Sequence, residues 1–181
     1  MNIFYFDWEF DFLYFLQDIH NPVLDVIMKY ASDLGNLGLF WILVALVLVA
    51  IKSQRKTGIQ AIVAMALAFI VGNLILKNAF MRARPCQIDE TVALLVKIPS
   101  DYSFPSGHTM NGFATSISIL MNNKKIGIPA VILATVITFS RLYNFVHFPT
   151  DIIGGFVIAL CMAILANYLC KKDWRRGKNN G

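Results

Sequence analysis

Three short stretches of this sequence concentrate residues capable of chemistry. Lys77 stands seven positions before Arg84-Pro85, Pro105-Ser106-Gly107-His108 follows, and Ser140-Arg141 precedes His147 and Asp151. Each stretch alone has a plain structural explanation. Lys77 can carry its ammonium to the edge of an apolar segment, Ser106 can cap a helix opened by Pro-Ser-Gly-His-Thr, and His147 can be a turn histidine. Together they supply three cations, two histidines, a carboxylate and a helix N-terminus in a chain otherwise poor in charge. That combination is what a phosphate group needs. Lys77, Arg84 and Arg141 can neutralise a dianion, the arginines with paired N–H donors. The backbone N–H groups of Gly107 and His108, at the positive end of a helix, can cradle its oxygens, and glycine allows close approach. Such donors stabilise charge that develops in a transition state more than charge in the ground state, and rate comes from that difference.

The two histidines suggest a division of labour. His147 lies four residues before Asp151, with Pro149 between them placed to begin a helix. The carboxylate can therefore bond one ring nitrogen and leave the other free as a nucleophile. His108, at the start of another helix, is then placed to protonate a departing oxygen, a contribution of about 10² to 10⁴ in rate. A metal held by His108, His147 and Asp151 is the competing arrangement, and three nearby cations would repel a divalent ion.

A membrane-embedded frame has to position these residues. The chain has 181 residues, 57% hydrophobic and only 15% charged, against about 25% charged in an ordinary soluble domain, and its mean hydropathy is +0.60. Apolar residues in several long blocks describe one domain, an all-α integral membrane bundle, and exclude collagen, disorder and repeat arrays. The net charge of +5 does not point to nucleic acid, because the basic residues form short clusters between apolar blocks. Cys86, Cys161 and Cys170 are too few and too scattered for a disulfide framework. The N-terminal stretch, with Asp7, Glu9 and Asp11, lacks the features of a signal peptide, so no leader is expected.

Residues 1–35 read as two interfacial amphipathic helices packed against the bundle. In the first, Phe6, Phe10, Leu13 and Phe15 lie away from Asp7, Asp11 and Asp18; in the second, opened by Asn21-Pro22, Val23, Ile27 and Tyr30 form one apolar face. Five transmembrane helices are expected within residues 37–170, over 37–51, 59–80, 107–121, 126–143 and 152–170. Residues 81–105 form the main loop, whose apolar stretch 92–96 suits a lid, a lipid contact or simple packing. Gly154 and Gly155 suit close helix packing. The basic tail 171–181 reads as disordered. Ten of the sixteen Lys and Arg residues fall in the turns near 52–58 and 122–125 and in this tail, which predicts those parts to be cytoplasmic and the three polar stretches extracytoplasmic. Cys86 would then be open to an impermeant thiol reagent from outside.

The eleven fixed positions of the three stretches resemble the signature of the type 2 phosphatidic acid phosphatase (PAP2) superfamily, which also includes vanadium haloperoxidases. The membrane helices are similar to its lipid phosphatase branch. The resemblance implies that His147 attacks phosphorus to form a phosphohistidine, that Asp151 orients it, and that His108 protonates the leaving group and then activates water. Lys77, Arg84, Ser106, Gly107, Ser140 and Arg141 would hold the phosphate, with no metal and no cofactor. Many relatives have glycine two residues before the nucleophile, where this chain has Phe145, implying altered packing or a lipid contact. The partners expected are the bilayer and a lipid phosphate or diphosphate, undecaprenyl diphosphate first, with phosphatidylglycerol phosphate or phosphatidate as alternatives. Rival readings are a membrane scaffold or transporter that keeps the site without turnover, and a haloperoxidase, against which the apolar spans speak.

Overall fold

Long apolar runs punctuated by Asn, Gly and Pro fold into nine α-helices and no strand among the described residues. The computed structural model describes the backbone of residues 1–179 and the side chains of residues 1–171. Helix α1 is Asp7–Asp18, α2 Pro22–Leu34 and α3 Leu39–Ala50. Helix α4, Arg55–Phe69, continues through a π-helical turn, Ile70–Leu76, into α5, Lys77–Phe80. A short α6, Pro85–Ile88, precedes the long loop, and α7 (Gly107–Asn122), α8 (Lys124–Tyr143) and α9 (Pro149–Asn179) complete the chain. Starts follow from side chains. Asn21 accepts the backbone N–H of Val23 and Leu24, and Asn123 that of Lys125 and Ile126, satisfying donors that a helix leaves unpaired.

Helix α7 sits at the centre, between α4, α8 and α9. Its Met110, Phe113 and Ala114 meet Ala64 and Ala68 of α4, Ala134 of α8 and Ala159 and Ala163 of α9. Alanine at so many contacts lets helices approach closely, the main source of packing energy where lipid outside is as apolar as protein inside. Gly155 serves the same purpose near the site: a Cβ there would stand 3.0 Å from the carbonyl oxygen of Ser106.

The chain is an all-α integral membrane protein. By length and composition three helical stretches can cross a bilayer, Arg55–Phe80, Lys124–Tyr143 and Pro149–Lys171, and a pair bent by 46°, Pro22–Leu34 with Asn36–Ala50, makes a fourth if taken as one span. Two of the five expected spans differ from simple single helices. At 16 residues, α7 is about 24 Å long, short of the roughly 30 Å hydrocarbon core. Its polar Thr115, Ser116 and Ser118 are buried in protein, so it need not satisfy lipid. The first expected span follows α2 across a kink at Leu37 and Gly38, where φ is +54° and +69°.

Helix α9 runs on to Asn179, through most of the tail expected to be disordered, because nothing between Lys171 and Arg176 breaks a helix. Residues 180–181 of that tail lie outside the described residues. In α2 the expected apolar face, Val23, Ile27 and Tyr30, is exposed, and polar groups make the contact with the bundle. Tyr143 Oη donates to Asp25 Oδ1 at 2.6 Å, Asn144 Nδ2 to the Met28 carbonyl at 3.3 Å, and Arg141 Nη1 to Ser32 Oγ. With its polar side chains turned to the bundle, α2 leaves its apolar face outward. Cys86 is buried with Phe10, Leu13, Phe145 and Val146, and Val92, Leu94 and Val96 pack on that cluster. The thiol is therefore shielded from the reagent expected to reach it, and the 92–96 stretch packs down.

Helix α1 is held by charge. Glu9 is fully buried; its Oε2 accepts Arg82 Nη2 at 2.7 Å, and its Oε1 accepts the Thr150 hydroxyl at 2.6 Å and backbone N–H at 3.1 Å. Arg82 Nη1 reaches Thr150 Oγ1 and Asp151 Oδ1, both at 2.7 Å, and its guanidinium lies over the Phe148 ring at 4.2 Å. Removing one partner of such a buried pair leaves the other uncompensated. Glu9→Ala should therefore cost about 3–5 kcal/mol of unfolding free energy in detergent micelles. The exposed neighbour substitution Asp7→Ala should stay within about 0.5 kcal/mol of wild type in the same titration.

Candidate active site

A cavity of about 870 Å³ opens where α2, α5, the N-terminus of α7, the end of α8 and the long loop meet. Lys77, Arg84, Gly107, His108, Arg141 and His147 line it. Ser106, Ser140 and Asp151 do not; they stand behind the wall. Ser106 Oγ caps α7 through the Thr109 N–H at 3.5 Å, and its own N–H donates to the Asp151 carbonyl at 3.2 Å, tying α7 to α9. Ser140 Oγ donates to the Ile137 carbonyl at 2.6 Å, while its carbonyl holds the Asn144 side chain and so shapes the turn before His147. The sequence reading of these two serines as phosphate ligands corresponds here to positions one layer back.

His147 lies in the turn between α8 and α9, buried. Its Nε2 stands 3.0 Å from Arg84 Nη1, and its Nδ1 is 3.4 Å from both Asp151 Oδ2 and Ser103 Oγ. A guanidinium can only donate. Nε2 must therefore be the unprotonated, accepting nitrogen, and the proton sits on Nδ1 facing Asp151. Burial first, then the charges of Arg84, Arg141, Lys77 and His108, hold the imidazole pKa well below its ordinary value, so the ring is neutral near pH 7. Asp151 cannot swing away, because Oδ1 accepts from Arg82 and Oδ2 from Ser103 Oγ and the Phe148 N–H.

The turn takes its shape at Phe145, whose φ of +56° is left-handed. Glycine adopts that conformation without strain, which gives a physical reason for glycine at this position in similar sequences. Here a side chain is kept, fully buried, with the Phe10 and Tyr14 rings at 6.0 and 5.7 Å.

Lys77 follows the π-helical turn, which inserts an extra residue and re-aims what comes after it. The residue is buried against protein and paired with Asp101, so its ammonium does not snorkel to an interface. Arg141 donates Nη1 to Ser32 Oγ and has a buried Nε with no acceptor among the described residues, a donor left for a ligand. His108 Nε2 stands 3.2 Å from the Ser32 carbonyl. A carbonyl only accepts, so this nitrogen carries the proton. Gly35 makes room for the ring: a Cβ there would fall 2.5 Å from His108 Cδ2.

Sequence reasoning missed Glu9, Ser32, Gly35, Arg82, Asp101 and Ser103. A signal existed for two of them. Glu9 in an aromatic segment and Arg82 in an apolar chain each needed a partner, since an unpaired charge at membrane depth is costly. No group of three or more His, Cys, Asp or Glu side chains converges to hold a metal ion among the described residues.

Residues 57–175 match the family described as the PAP2 superfamily. The chain is 34% identical over 146 residues to the undecaprenyl-diphosphatase BcrC of Bacillus subtilis, covering 81% of this chain and 75% of that protein. It is 30% identical over 144 residues to an undecaprenyl-diphosphatase of Sulfolobus acidocaldarius, covering 79% and 69%. The crystal structure of LpxE from Aquifex aeolicus has the same fold, with a TM-score of 0.78 over 90% of this chain and 96% of that one, at 24% identity. The family match contains all three polar stretches and the helices that carry them, and the chain belongs to the PAP2 superfamily.

Proposed function

We propose that this membrane lipid phosphatase hydrolyses the terminal phosphate of undecaprenyl diphosphate through a phosphohistidine on His147, at a site facing away from the cytosol. The observation that carries the reading is the tautomer of His147, with an unprotonated Nε2 bordering a cavity that three cations line. In the first step the Nε2 lone pair forms the P–N bond as the bridging P–O bond breaks. The Nδ1 proton stays on the ring, where Asp151 balances the imidazolium charge. His108, entering the step as an imidazolium beside the bound phosphate dianion, gives one proton to the leaving oxygen and becomes neutral, and undecaprenyl phosphate departs. Neutral His108 then takes a proton from water as the water oxygen bonds phosphorus, the P–N bond breaks with its electron pair returning to His147 Nε2, and inorganic phosphate leaves. Lys77, Arg84, Arg141 and the N–H groups of Gly107 and His108 hold the phosphoryl oxygens, with Ser106 and Ser140 acting through the backbone turns they fix.

Support for the lipid comes from two directions. The two relatives just described are named undecaprenyl-diphosphatases, and Leu37 and Phe69 line the cavity while remaining exposed on the bundle surface. A long isoprenoid tail can thus stay in the bilayer while the headgroup enters sideways, avoiding an extraction cost of about 0.8 kcal/mol per CH₂. For the topology, α7 leads from the cavity at Gly107 to the basic turn at Lys124 and Lys125, which the charge bias assigns to the cytosol with Lys52, Arg55, Lys56 and the C-terminus.

Three outcomes test the reading. His147→Ala should abolish release of phosphate, and His108→Ala should leave traces of trapped phosphoenzyme; Asp151→Asn should cost less than either, because the ring remains. An active His147→Ala protein would remove the nucleophile assignment. In a detergent panel of lipid phosphates, undecaprenyl diphosphate should give the highest kcat/KM. Phosphatidylglycerol phosphate turned over tenfold faster, a gap of about 1.4 kcal/mol in transition-state binding, would replace the assignment with the phospholipid. For topology, Ala93→Cys, on an exposed part of the long loop, should react with an impermeant maleimide in intact cells, and Lys52→Cys only after lysis. The reverse order would put the site in the cytosol.

A further inference from the structure

Every donor of Arg84 is already taken. Its Nε–H goes to the Asp101 carbonyl at 2.9 Å, Nη1 to the Val146 carbonyl at 2.6 Å and to His147 Nε2 at 3.0 Å, and Nη2 to Asp101 Oδ1 at 2.7 Å and the Tyr102 carbonyl at 3.3 Å. A guanidinium has five N–H groups, and these contacts use them all. Lys77 is committed to the other oxygen of the same carboxylate, Asp101 Oδ2. In this site one carboxylate thus bridges two cavity cations, taking one N–H of Arg84 and the ammonium of Lys77, and Arg84 in turn covers the Nε2 lone pair of His147.

The two attachments of Asp101 differ in kind. Its backbone carbonyl belongs to a loop fixed on Arg84 Nε, while its side chain is 53% exposed, against 2% for that of Arg84. Rotation of the side chain alone would free Lys77 Nζ and one Arg84 donor without moving the loop. Burial raises the Asp101 carboxyl pKa, but the charges of Lys77 and Arg84 outweigh it and hold the group below the usual carboxylate range. The resident group is therefore an anion of one unit charge.

We propose that Asp101 is a specificity-determining residue: an internal anion that a terminal phosphate displaces from Lys77 and Arg84 and that a phosphodiester does not. The inference rests on the reading of this cavity as a phosphate site. A bilayer surrounds the cavity mouth with phosphodiester headgroups, each bearing a single negative charge. Exchanging Asp101 for one of them gains no charge neutralisation and gives up an intramolecular partner whose effective concentration is high. A terminal phosphate carries about 1.5 to 2 charges near pH 7 and offers three oxygens to the same donors. Its arrival gains electrostatic energy, and when its oxygens draw Arg84 Nη1 away from His147 Nε2 the nucleophile is uncovered at the moment phosphorus is in place. The same competition lowers affinity for inorganic phosphate and so speeds product release.

The experiment compares the full chain in detergent micelles with Asp101→Asn, and with Asp101→Ser as a smaller second variant that also keeps the loop carbonyl on Arg84. Calorimetric titration with inorganic phosphate reads the cradle without requiring turnover. Loss of the competing charge should tighten phosphate binding by about tenfold or more. Dioleoylphosphatidylglycerol, a phosphodiester, should become an inhibitor of lipid-phosphate turnover in the variants and not in the wild type, while neutral dioleoylglycerol inhibits neither. KM should fall and kcat should fall with it as product leaves more slowly; Asp101→Glu should restore the wild-type pattern. Phosphate affinity unchanged in both variants, with phosphatidylglycerol acting equally on all proteins, would overturn the proposal and leave Asp101 as a tether for the loop. Failure of the phosphatase reading would look different: no lipid phosphate is turned over by the wild type, while the calorimetric comparison still decides the role of Asp101.

Discussion

Four cations, Lys77, Arg82, Arg84 and Arg141, are buried in a chain built to lie in lipid, and the need to match each of them organises the rest of the structure. A charge withdrawn from water is tolerated only when paired and hydrogen-bonded. Arg82 recruits Glu9 from one end of the chain and Asp151 from the other. Arg84 and Lys77 share Asp101, and Arg141 takes Ser32 of α2. Helix α2, with its apolar face outward, is held to the bundle by such contacts, and α1 adds them to the packing of its buried Phe10, Leu13 and Leu16. The outward apolar face of α2 and the buried carboxylate of α1 follow from the same requirement.

Much of this was legible in the sequence, and the parts that were not share a cause. Apolar blocks and polar punctuation give the all-α membrane bundle, and the spacing of charged residues gives Lys77, Arg84, His108, Arg141 and His147, which the fold brings to one cavity. Periodicity reports how a residue relates to its own helix, so Asn21 and Pro22 announce a helix start correctly. It says nothing of which outside environment that helix meets. The apolar face of α2, expected to pack on the bundle, is exposed instead, and α7 is shorter and more polar than a lone span because other helices enclose it. Partners far apart in sequence, such as Glu9 and Arg82 or Ser32 and Arg141, leave no local trace except that a lone charge in an apolar segment must have a counterpart somewhere.

Phe145 illustrates a conflict between local and global demands. A left-handed φ on a residue with a large side chain costs about 1–2 kcal/mol, yet the ring fills a buried position between Phe10 and Tyr14, and full burial of such a ring contributes about 1.5–3 kcal/mol. The two terms are of similar size with opposite sign. The turn that aims His147 therefore persists here without glycine, because α1 supplies the aromatic surface that covers the strained residue.

The order of residues 82–84 explains why His147 has only one usable tautomer. This segment is extended; Asn2 pairs alongside it, donating its N–H to the Met81 carbonyl and accepting from the Ala83 N–H. In an extended chain residues two apart project to the same side. Arg82 and Arg84 consequently approach the His147 and Asp151 pair together, Arg82 at the outer carboxylate oxygen and Arg84 at the outer ring nitrogen. Both guanidinium groups can only donate, so the lone pairs at the two ends of the pair are already assigned. A proton on Nε2 would face an arginine N–H with no acceptor between them, and Nδ1 would turn a lone pair toward the Asp151 carboxylate. The single proton must lie on Nδ1. Arg84 thus does two things with one group: it fixes the tautomer of His147, and in the proposed phosphohistidine chemistry it is the donor that a phosphoryl oxygen takes over before Nε2 attacks.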